Sequence, residues 1–573
     1  TNPEGDVRRY VYDDAHHMTA WYDEDGNQVV ENVYDENGRV TAQTDAEGHT
    51  AYLEYGDGVT IMTDNRGNET RYTYDEQGRG TGIIYADGSS TSTEYDGEGR
   101  IAQVTDELGM TTSYTYDEQG NVLTETRDDG SRMSYGDYCW DQPGTITDYE
   151  GNTTVVAYDE LGNALTVTDG EGNTTTCGYD EYSRLTSLTD ANGTAMTFDY
   201  EGKEAVPAAF TDGEGHTTDY TYDAMNRLLT ETDAEGHTIR YQYNANGWET
   251  AVTTADGGTT EYAFSPAGEV SSITDPMGNL TAFTYDAMHN ILSGTDVQGN
   301  TLTYVYDANY NKTSETDAKG NTTSYTYDAR DRLIGIEDAL GGEITLTLDA
   351  AGNLLSQTDQ LGNTASYTYD PVLRLPVTYT DRTGNTTAYA YDRNGNLTQV
   401  TYADGSAVSY SYDGAGRLVS VTAQNGLTTT LTYDGNGNVI RLSDDEERVY
   451  TYTYDGNNRL VKAEDPLGGI TRYTYDSQGN LLSDTDENGN ATRYTYDPVG
   501  RLLAVKDALE GTRTYKYDLN GNRLEETDEN GHTTAYYYDA IGELLARTDG
   551  EGYVTAMEYD PAGNLTKLTD ALE

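Results

Sequence analysis

The sequence predicts an all-β protein in which tandem antiparallel β-hairpins form one continuous spiral sheet, a hollow β-shell or tube. Three observations support this fold class. A tyrosine position next to aspartate recurs every 21 residues from Tyr391 to Tyr559, and the same frame runs back to Tyr12 in steps of 19 to 22 residues, giving 27 units. Each unit has a stretch in which large side chains alternate at period 2, and each has two Asp-x-x-Gly turns.

The alternating stretch predicts the first strand of each unit. In the unit at 492–503, Thr492, Tyr494 and Tyr496 are spaced two residues apart, so their side chains point to one face of an extended strand. Threonine and tyrosine are also residues that favour strands. We therefore expect a strand that ends at the Tyr-Asp pair.

Two turns of the same chemistry divide each unit, as at 476–479 and 486–489. The aspartate can accept backbone N–H groups, and the glycine can take the left-handed conformation that closes a type I turn with a bulge. Strands joined by such short turns must be antiparallel, because a parallel connection needs about a dozen residues or more. This argues against the competing repeat architecture, a right-handed parallel β-helix. The signature residues of the repeat include Tyr327, Asp328, Tyr475, Asp476, Gly479, Asp486, Gly489, Tyr496, Asp497, Gly500, Tyr517, Asp518 and Gly521.

The length of the predicted sheet indicates that it curls. Two strands per unit, about 4.8 Å apart, would make a ribbon on the order of 260 Å wide, and open twisted sheets rarely exceed about ten strands. Splitting into sandwiches needs oily faces, but only 35% of residues are hydrophobic and tyrosine alone supplies 53 residues. We expect a single-layered wall around a hollow, in which each tyrosine ring stacks on the same tyrosine of the next hairpin and its hydroxyl stays wet or hydrogen-bonded.

One repeat array is expected to span residues 1–573, with an irregular seam at 200–215. The stretch 201–208 breaks both the alternation and the turn pattern. The array starts within a repeat at 1–5 and ends within a repeat at 569–573, so we expect it to be the ordered part of a longer protein.

The charge of the chain limits its partners. It has 100 acidic and 34 basic residues and a formal charge of -66. Such a surface repels phosphate, which excludes nucleic acid and anionic membranes as partners. No apolar run is long enough for membrane insertion. Low hydrophobicity with high charge is typical of disorder, but the repeat assigns the aspartates and glycines to turns, so we predict a folded chain.

The repeated carboxylates predict turns rather than a catalytic or metal site. An EF-hand beginning at Asp484 would need glutamate at its twelfth position, where Thr495 stands. Acid–base catalysis needs two carboxyl groups in different environments, and the recurring aspartates are all alike. We therefore expect no catalytic residue, no enzyme activity and no specific cofactor. Diffuse Ca²⁺ binding by rows of turn carboxylates remains an alternative.

The other reactive side chains also fit structural roles. Histidine follows a turn glycine, where asparagine is usual, at positions 49, 216, 237 and 532, and these are predicted turn variants. The pair His16–His17 lies in an imperfect first unit, and the seven histidines form no metal-spaced cluster. Cys139 and Cys177 are expected to be free thiols. The tryptophans at 21, 140 and 248 are predicted packing residues, with sugar stacking as the alternative.

Units such as 325–328 and 494–502, with the pattern Tyr-x-Tyr-Asp-x-x-Gly-Asn/Arg-Leu followed by Thr-Asp-x-x-Gly-Asn, resemble the YD repeats, also called RHS repeats. The resemblance covers essentially the whole chain. The family includes bacterial Rhs polymorphic toxins, the B and C components of insecticidal toxin complexes, Gram-positive wall-associated proteins and animal teneurins. It implies a hollow β-cocoon that encloses a C-terminal toxin domain, or in teneurins an adhesion scaffold.

The resemblance implies a non-enzymatic structural shell of a secreted or surface bacterial protein, enclosing or scaffolding a toxin or effector domain outside this fragment. Toxin-bearing members end their shell with a core segment rich in Asp-Pro and Gly-Leu, and this chain has no such segment. The expected partner is a C-terminal cargo in the same polypeptide, or neighbouring copies of the chain. The alternative is an extracellular structural or adhesive tube or filament that binds carbohydrate or a cell surface.

Overall fold

The computed structural model describes residues 1–570; the last three residues of the predicted array, 571–573, lie outside the described residues. The described chain consists of 54 β-strands and contains no helix. The strands are β1 (Arg9–Tyr12), β2 (Met18–Tyr22), β3 (Gln28–Tyr34), β4 (Val40–Asp45), β5 (Thr50–Gly56), β6 (Val59–Thr63), β7 (Glu69–Tyr74), β8 (Gly80–Ile84), β9 (Ser90–Tyr95), β10 (Ile101–Thr105), β11 (Thr111–Tyr116), β12 (Val122–Arg127), β13 (Arg132–Gly136), β14 (Thr145–Thr147), β15 (Thr153–Tyr158), β16 (Ala164–Thr168), β17 (Thr174–Tyr179), β18 (Leu185–Thr189), β19 (Ala195–Asp199), β20 (Ala209–Thr211), β21 (Thr217–Tyr222), β22 (Leu228–Thr232), β23 (Thr238–Tyr243), β24 (Glu249–Thr253), β25 (Thr259–Phe264), β26 (Val270–Thr274), β27 (Leu280–Tyr285), β28 (Ile291–Thr295), β29 (Thr301–Tyr306), β30 (Lys312–Thr316), β31 (Thr322–Tyr327), β32 (Leu333–Glu337), β33 (Glu343–Leu348), β34 (Leu354–Thr358), β35 (Thr364–Tyr369), β36 (Pro376–Thr380), β37 (Thr386–Tyr391), β38 (Leu397–Thr401), β39 (Ala407–Tyr412), β40 (Leu418–Thr422), β41 (Thr428–Tyr433), β42 (Val439–Asp444), β43 (Val449–Tyr454), β44 (Leu460–Glu464), β45 (Ile470–Tyr475), β46 (Leu481–Thr485), β47 (Ala491–Tyr496), β48 (Leu502–Lys506), β49 (Thr512–Tyr517), β50 (Arg523–Thr527), β51 (Thr533–Tyr538), β52 (Leu544–Thr548), β53 (Val554–Tyr559) and β54 (Leu565–Thr569).

The strands form one continuous meander. Each strand pairs antiparallel with the strand before it and the strand after it, from β1–β2 to β53–β54. The predicted all-β hairpin array is therefore confirmed, and the parallel β-helix is excluded.

Neighbouring hairpins separate towards one edge of the sheet. Within a hairpin, β45 pairs with β46 down to Tyr475–Leu481, next to the turn, through a bulge. Across the following turn, β46 and β47 share only three residue pairs, beginning at Ser483–Arg493. The Leu481 carbonyl lies beyond this ladder and accepts a hydrogen bond from the Tyr496 hydroxyl at 3.0 Å. In most repeats the second tyrosine thus bridges a gap that backbone pairing leaves open.

The turns have the backbone conformation that glycine permits. In the turn at 476–480, the Asp476 carboxylate accepts the Asn480 N–H at 2.8 Å, and the Gly479 N–H bonds to the Asp476 carbonyl at 3.2 Å. Gly479 has a φ of 90°, in the left-handed region. The same geometry recurs in both turns of almost every unit.

A valine in place of Gly479 is expected to destabilise the hairpin at 470–490. A Cβ there would meet no atom within 4 Å, so the cost comes from φ alone, roughly 1–2 kcal/mol or more for a β-branched residue. Gly80→Val is the matched control, because Gly80 lies in a strand with equally open space and no positive φ. Hydrogen exchange should accelerate in 470–490 for Gly479→Val and stay unchanged in 75–90 for Gly80→Val. Equal protection in both variants would contradict the turn geometry.

The wall is a single layer around a hollow. The accessible surface is 30945 Å², whereas a compact monomer of 62.8 kDa would expose about 20,000 Å². Among the described residues the buried apolar side chains are Ala20, Val29, Ala251, Ala365 and Val400. So few small residues cannot form a packed core, and the sheet does not fold back on itself as a sandwich.

The sheet winds as a spiral, and we call one revolution of this spiral a coil. After each coil the sheet contacts the coil before it. The amide of Asn457 donates to the Asp212 carboxylate, 245 residues earlier in the chain, at 2.6 Å. Strands β21 to β43 lie between these two turns. At about 4.8 Å per strand they give a circumference of about 110 Å and a diameter of about 35 Å.

The stretch predicted as an irregular seam, 200–215, contains a long connection and a short strand. Residues 200–208 connect β19 to β20, and β20 has only 3 residues. The regular turn pattern resumes at Asp212, whose N–H bonds to the His216 carbonyl at 2.9 Å.

Candidate functional site

The candidate functional site is the junction between successive coils. Turns that follow even-numbered strands, together with the first turn at 2–6, are here called Thr-Asp turns. They meet turns of the next coil that follow odd-numbered strands, here called Tyr-Asp turns. Paired turns include 2–6 with 244–248, 45–49 with 286–290, 64–68 with 307–311, 85–89 with 328–332, 148–152 with 392–396, 169–173 with 413–417, 190–194 with 434–438, 212–216 with 455–459, 233–237 with 476–480, 254–258 with 497–501, 275–279 with 518–522, 296–300 with 539–543 and 317–321 with 560–564.

In the junction pair of 212–216 with 455–459, the third residue of each turn makes reciprocal hydrogen bonds with the other turn. Asn457 donates to Asp212 from the later coil, while the Gly456 N–H donates to the Glu214 carboxylate of the earlier one. The Gly213 N–H also donates to the Asn457 side-chain oxygen at 3.0 Å. Other pairs repeat parts of this pattern, as between Asn436 and Asp190 at 2.6 Å. The junction is therefore a row of polar contacts rather than an apolar interface.

The backbones of the turns 212–216 and 455–459 approach each other too closely for a side chain at the second position of either turn. A Cβ on Gly213 would lie 2.2 Å from the Gly456 carbonyl oxygen, and a Cβ on Gly456 would lie 2.4 Å from the Gly213 carbonyl oxygen. Glycine is thus required here by intercoil packing, not by φ.

Two junction carboxylates, Asp212 and Asp560, are held in the ionised form. Partial burial raises the pKa of Asp212, but hydrogen bonds from Asn457 and His216 outweigh it and hold that pKa below its usual value. At the junction between 317–321 and 560–564 the Lys319 ammonium lowers the pKa of Asp560 to about 2. The contacts at these two turn pairs therefore depend on carboxylates that stay charged at neutral pH.

The Tyr-Asp edge of the wall carries a second recurring cluster of arginine, aspartate and tyrosine. Arg459 donates to Asp455 at 2.7 Å and to the Asp476 carbonyl at 2.7 Å, and its guanidinium lies 5.0 Å from the Tyr475 ring centre. The Tyr475 hydroxyl donates to the Leu460 carbonyl at 2.8 Å. One cluster thus links two neighbouring hairpins through a cation–π contact and hydrogen bonds.

The predicted stacking of each tyrosine on the same tyrosine of the next hairpin is wrong. Within residues 1–570, none of the close aromatic pairs joins the Tyr-Asp tyrosines of successive units. Where the fifth residue of a Tyr-Asp turn is arginine, its guanidinium lies over the ring of the Tyr-Asp tyrosine in the next unit instead. The splayed edge separates the rings, and their hydroxyls are hydrogen-bonded to carbonyl groups.

The signature residues occupy equivalent positions in their repeats. The hydroxyls of Tyr327, Tyr475 and Tyr496 donate to carbonyls of the preceding strand at 2.9, 2.8 and 3.0 Å, and the Tyr517 ring lies 5.5 Å from the Arg501 guanidinium. Asp328, Asp476, Asp486, Asp497 and Asp518 each accept the N–H of the residue four positions on. Gly479, Gly489, Gly500 and Gly521 have φ values of 90°, 85°, 81° and 89°. The turns at 328, 476, 497 and 518 lie in the junction, and the turn at 486 does not.

Sequence reasoning missed the third residue of the turns, which makes intercoil contacts in many of the pairs. A signal was present: Thr-Asp turns of the earlier coil have glutamate there at positions 47, 150, 171, 214 and 235, and Tyr-Asp turns of the later coil have asparagine or glutamine at 309, 394, 436, 457 and 478. This difference between the two turn types has no explanation within a single turn.

The histidine and cysteine predictions agree with the structure. The Nδ1 atoms of His216, His237 and His532 lie 3.0 to 3.1 Å from the turn aspartate, as an asparagine amide does, so these residues are turn variants. His49 contacts Asp45 in the same way at 3.4 Å. Cys139 and Cys177 are free thiols.

The prediction that all three tryptophans are packing residues is wrong for one of them. Trp248 packs on Phe264 with ring centres 5.3 Å apart, and Trp21 packs on Tyr10 at 6.3 Å. Trp140 is 77% exposed, because the irregular connection after β13 turns it outwards.

The structure offers no metal centre in its described part. Across residues 1–570, no three histidine, cysteine, aspartate or glutamate side chains group with metal-holding geometry. No helix long and apolar enough to cross a membrane occurs in the same residues.

Comparisons with known proteins agree with this geometry. The family profile "Teneurin YD-shell" matches residues 162–295 and 372–510. The profile "RHS Repeat" matches residues 59–90, 95–132, 312–343, 349–386, 496–535 and 538–572, so the two profiles together match most of the chain. No curated protein sequence matches.

One solved structure shares the fold. The crystal structure of TcdB2-TccC3 is similar over 98% of this chain, with 14% identity and a TM-score of 0.61. TcdB2-TccC3-TEV is similar over 99%, with 16% identity and a TM-score of 0.49. The chain spans 42% of the length of the first and 32% of the second. The repeat, the continuous meander and both profile matches show that the chain belongs to the YD-repeat, or RHS-repeat, family.

Proposed function

We propose that this chain is the non-enzymatic wall of a hollow shell in a secreted or surface bacterial YD-repeat protein. The shell encloses or scaffolds a toxin or effector domain that lies outside residues 1–573. The observation that carries this proposal is the junction: a one-layer sheet meets itself after each coil and so surrounds a space about 35 Å across between backbones.

The chemistry of the wall supports a structural role. The turn carboxylates are already used by backbone N–H groups of their own turns, as Asp476 and Asp497 are. Because nearly every unit repeats this arrangement, most turn carboxylates share one structural role as acceptors of their own turn's N–H groups. The net charge of -66 favours a basic cargo or solubility, not an acidic ligand.

Small-angle X-ray scattering and cryo-electron microscopy of the natural gene product test the two parts of the proposal separately. Scattering should give the profile of a hollow particle with a wall diameter of about 35 Å. Images should show density within the lumen. A particle with a filled cross-section would contradict the hollow shell. A hollow particle whose lumen holds only solvent would contradict the enclosed toxin or effector domain.

Cations are expected to act on the turn carboxylates by screening, without specific sites. Each turn aspartate already accepts hydrogen bonds, so a Ca²⁺ ion would have to displace them. At fixed ionic strength Ca²⁺ and Mg²⁺ should raise the Tm equally. Saturable Ca²⁺ binding in calorimetry, with a Tm increase that Mg²⁺ does not reproduce, would contradict this expectation.

A further inference from the structure

The splayed edge of the sheet leaves a gap between neighbouring Tyr-Asp turns, and arginine fills several of these gaps. Arg459 donates to the Asp455 carboxylate and to the Asp476 carbonyl, each at 2.7 Å. Its guanidinium carbon lies 5.0 Å from the centre of the Tyr475 ring. Arg417 makes the same three kinds of contact in its own gap. The wall thus contains a recurring binding site for a guanidinium group, which the chain occupies with its own arginine.

Other gaps have asparagine in place of this arginine, and the next turn closes some of them. The Asn438 amide donates to the side-chain oxygen of Asn458, the fourth residue of the next turn, at 2.7 Å. Asn311 donates in the same way to Asp331, also at 2.7 Å. A glycine at the fourth position cannot close the gap, because it has no side chain to accept the hydrogen bond.

The gap that follows Asn480, here called the Asn480 gap, is closed in neither way. The Asn480 amide donates to the Asp476 carboxylate at 2.9 Å and so takes the role of only one arginine nitrogen. The fourth residue of the next turn is Gly500. In the part of the chain that the structure describes, no arginine or lysine lies over the Tyr496 ring, and no side chain donates to the Asp497 carbonyl. The ring face and the carbonyl that a guanidinium would contact are therefore both accessible.

A cleft of about 500 Å³ lies at the Asn480 gap, where two coils meet. Its lining includes Tyr496, Asp497, Leu482, Glu235, His216 and His237. The Glu235 carboxylate comes from the preceding coil and adds negative charge. The Leu482 side chain is exposed and offers apolar contact to an alkyl chain. An aromatic face, a carbonyl, a carboxylate and an apolar wall together suit a planar cation that carries a short alkyl chain.

We propose that the Asn480 gap binds an alkylguanidinium, either as a free small molecule or as the side chain of an arginine. The guanidinium stacks on the Tyr496 ring and donates to the Asp497 carbonyl, as the chain's own arginines do in their gaps. Glu235 matches its charge, and Leu482 contacts its alkyl chain. An ammonium group has no planar face to stack on the ring, so it should bind more weakly. The site is formed by turns of the wall and does not depend on the proposed shell function.

Hydrogen exchange of the full chain with N-ethylguanidinium tests the site. A cation held by one ring and a few hydrogen bonds should bind with a Kd of about 10 mM. A concentration of about 20 mM should then raise protection in 474–500 about threefold. Ethylammonium, and sodium chloride at the same ionic strength, are the controls and should have smaller effects.

A blocked glycyl-arginyl-glycine peptide distinguishes the two sources of the ligand. Protection by both the peptide and N-ethylguanidinium would show that the gap accepts an arginine side chain. Protection by N-ethylguanidinium alone would restrict the site to free small molecules. Either result supports the guanidinium site.

Two variants test whether the arginine gaps are the correct template. Asn480→Arg should fill its gap from the chain itself, so protection in 474–500 should rise without ligand and the ligand should add nothing there. Arg459→Asn is the matched opposite change. It should lower protection in 453–480, and N-ethylguanidinium should restore it. Circular dichroism verifies that each variant is folded.

The wild-type chain decides the proposal. Protection in 474–500 that N-ethylguanidinium does not raise above the two controls overturns it. A ligand effect in 474–500 that persists in Asn480→Arg also overturns it, because the ligand would then bind elsewhere. Restoration of Arg459→Asn without any effect on the wild-type chain would show that Asn480 closes its own gap, and would overturn the proposal as well.

Discussion

Raising the pH above about 10 is expected to unfold the shell cooperatively, with tyrosine ionisation and loss of β-structure occurring together. Thirteen Tyr-Asp tyrosines donate a hydroxyl hydrogen bond to a carbonyl of the preceding strand, or for Tyr222 to the Pro207 carbonyl of the connection before it, and also have a raised pKa. Burial is the main cause of each raised pKa. These are tyrosines 116, 179, 222, 285, 306, 327, 369, 391, 412, 433, 454, 475 and 496.

The direction of the effect follows from proton linkage. A raised pKa means that the folded state retains the phenol proton, so the stabilisation is complete below the unfolded pKa of about 10 and is lost as pH rises through the folded pKa. Ionisation also removes the donor that bridges neighbouring hairpins, as between Tyr496 and Leu481. The contributions of successive repeats should act in the same direction along the array.

Phenolate absorbance near 295 nm and the β-sheet circular dichroism signal should therefore change over the same pH interval. The control is the same titration in high salt. Salt weakens the repulsion among the acidic residues but does not change the cost of burying a phenolate. Tyrosines that titrate near pH 10 without cooperativity, while the β-sheet signal persists, would show that the hydroxyl bridges do not hold the hairpins together.

Much of the wall was predictable because its determinants lie close together in sequence. The alternation in 492–496 fixes a strand, and the aspartate and glycine of 476–479 close a turn, so the antiparallel meander follows from single units. A sheet this long and poor in apolar residues must also curl into a wall. None of these steps requires knowledge of contacts between distant residues.

The junction and the tyrosine environment were not predictable in the same way. Which turns meet depends on how many strands complete a coil, and this number comes from the twist and curvature of the sheet, which no single repeat encodes. The contact between Asn457 and Asp212 spans 245 residues. The ring partner of Tyr475 was missed because the splay between hairpins, visible only in the register of the strands, brings Arg459 over the ring.

Replacing Asn457 with aspartate is expected to open the junction locally. The substitution removes the amide that donates to the Asp212 carboxylate at 2.6 Å and places a second carboxylate against the first. A lost hydrogen bond to a charged group costs about 1.5–3 kcal/mol, and like charges at about 4 Å repel by a similar amount near a protein surface. Hydrogen exchange should accelerate in 211–217 and 454–460, while strands within each coil remain protected.

Asn37→Asp is the matched control, because Asn37 occupies the same position of a Tyr-Asp turn in the first coil and makes no intercoil hydrogen bond within residues 1–570. It should change neither hydrogen exchange nor Tm beyond the effect of one added charge.

A measurement in acid distinguishes loss of a hydrogen-bond donor from a change of side-chain shape. Near pH 4 to 5 the introduced carboxyl group can take up a proton and donate to Asp212, so protection should return in Asn457→Asp. In the wild-type protein the lowered pKa of Asp212 makes the junction weaken only as pH falls below about 4. Opening that persists unchanged at pH 4 to 5 would mean that Asn457 acts by shape rather than as a donor to a charged partner.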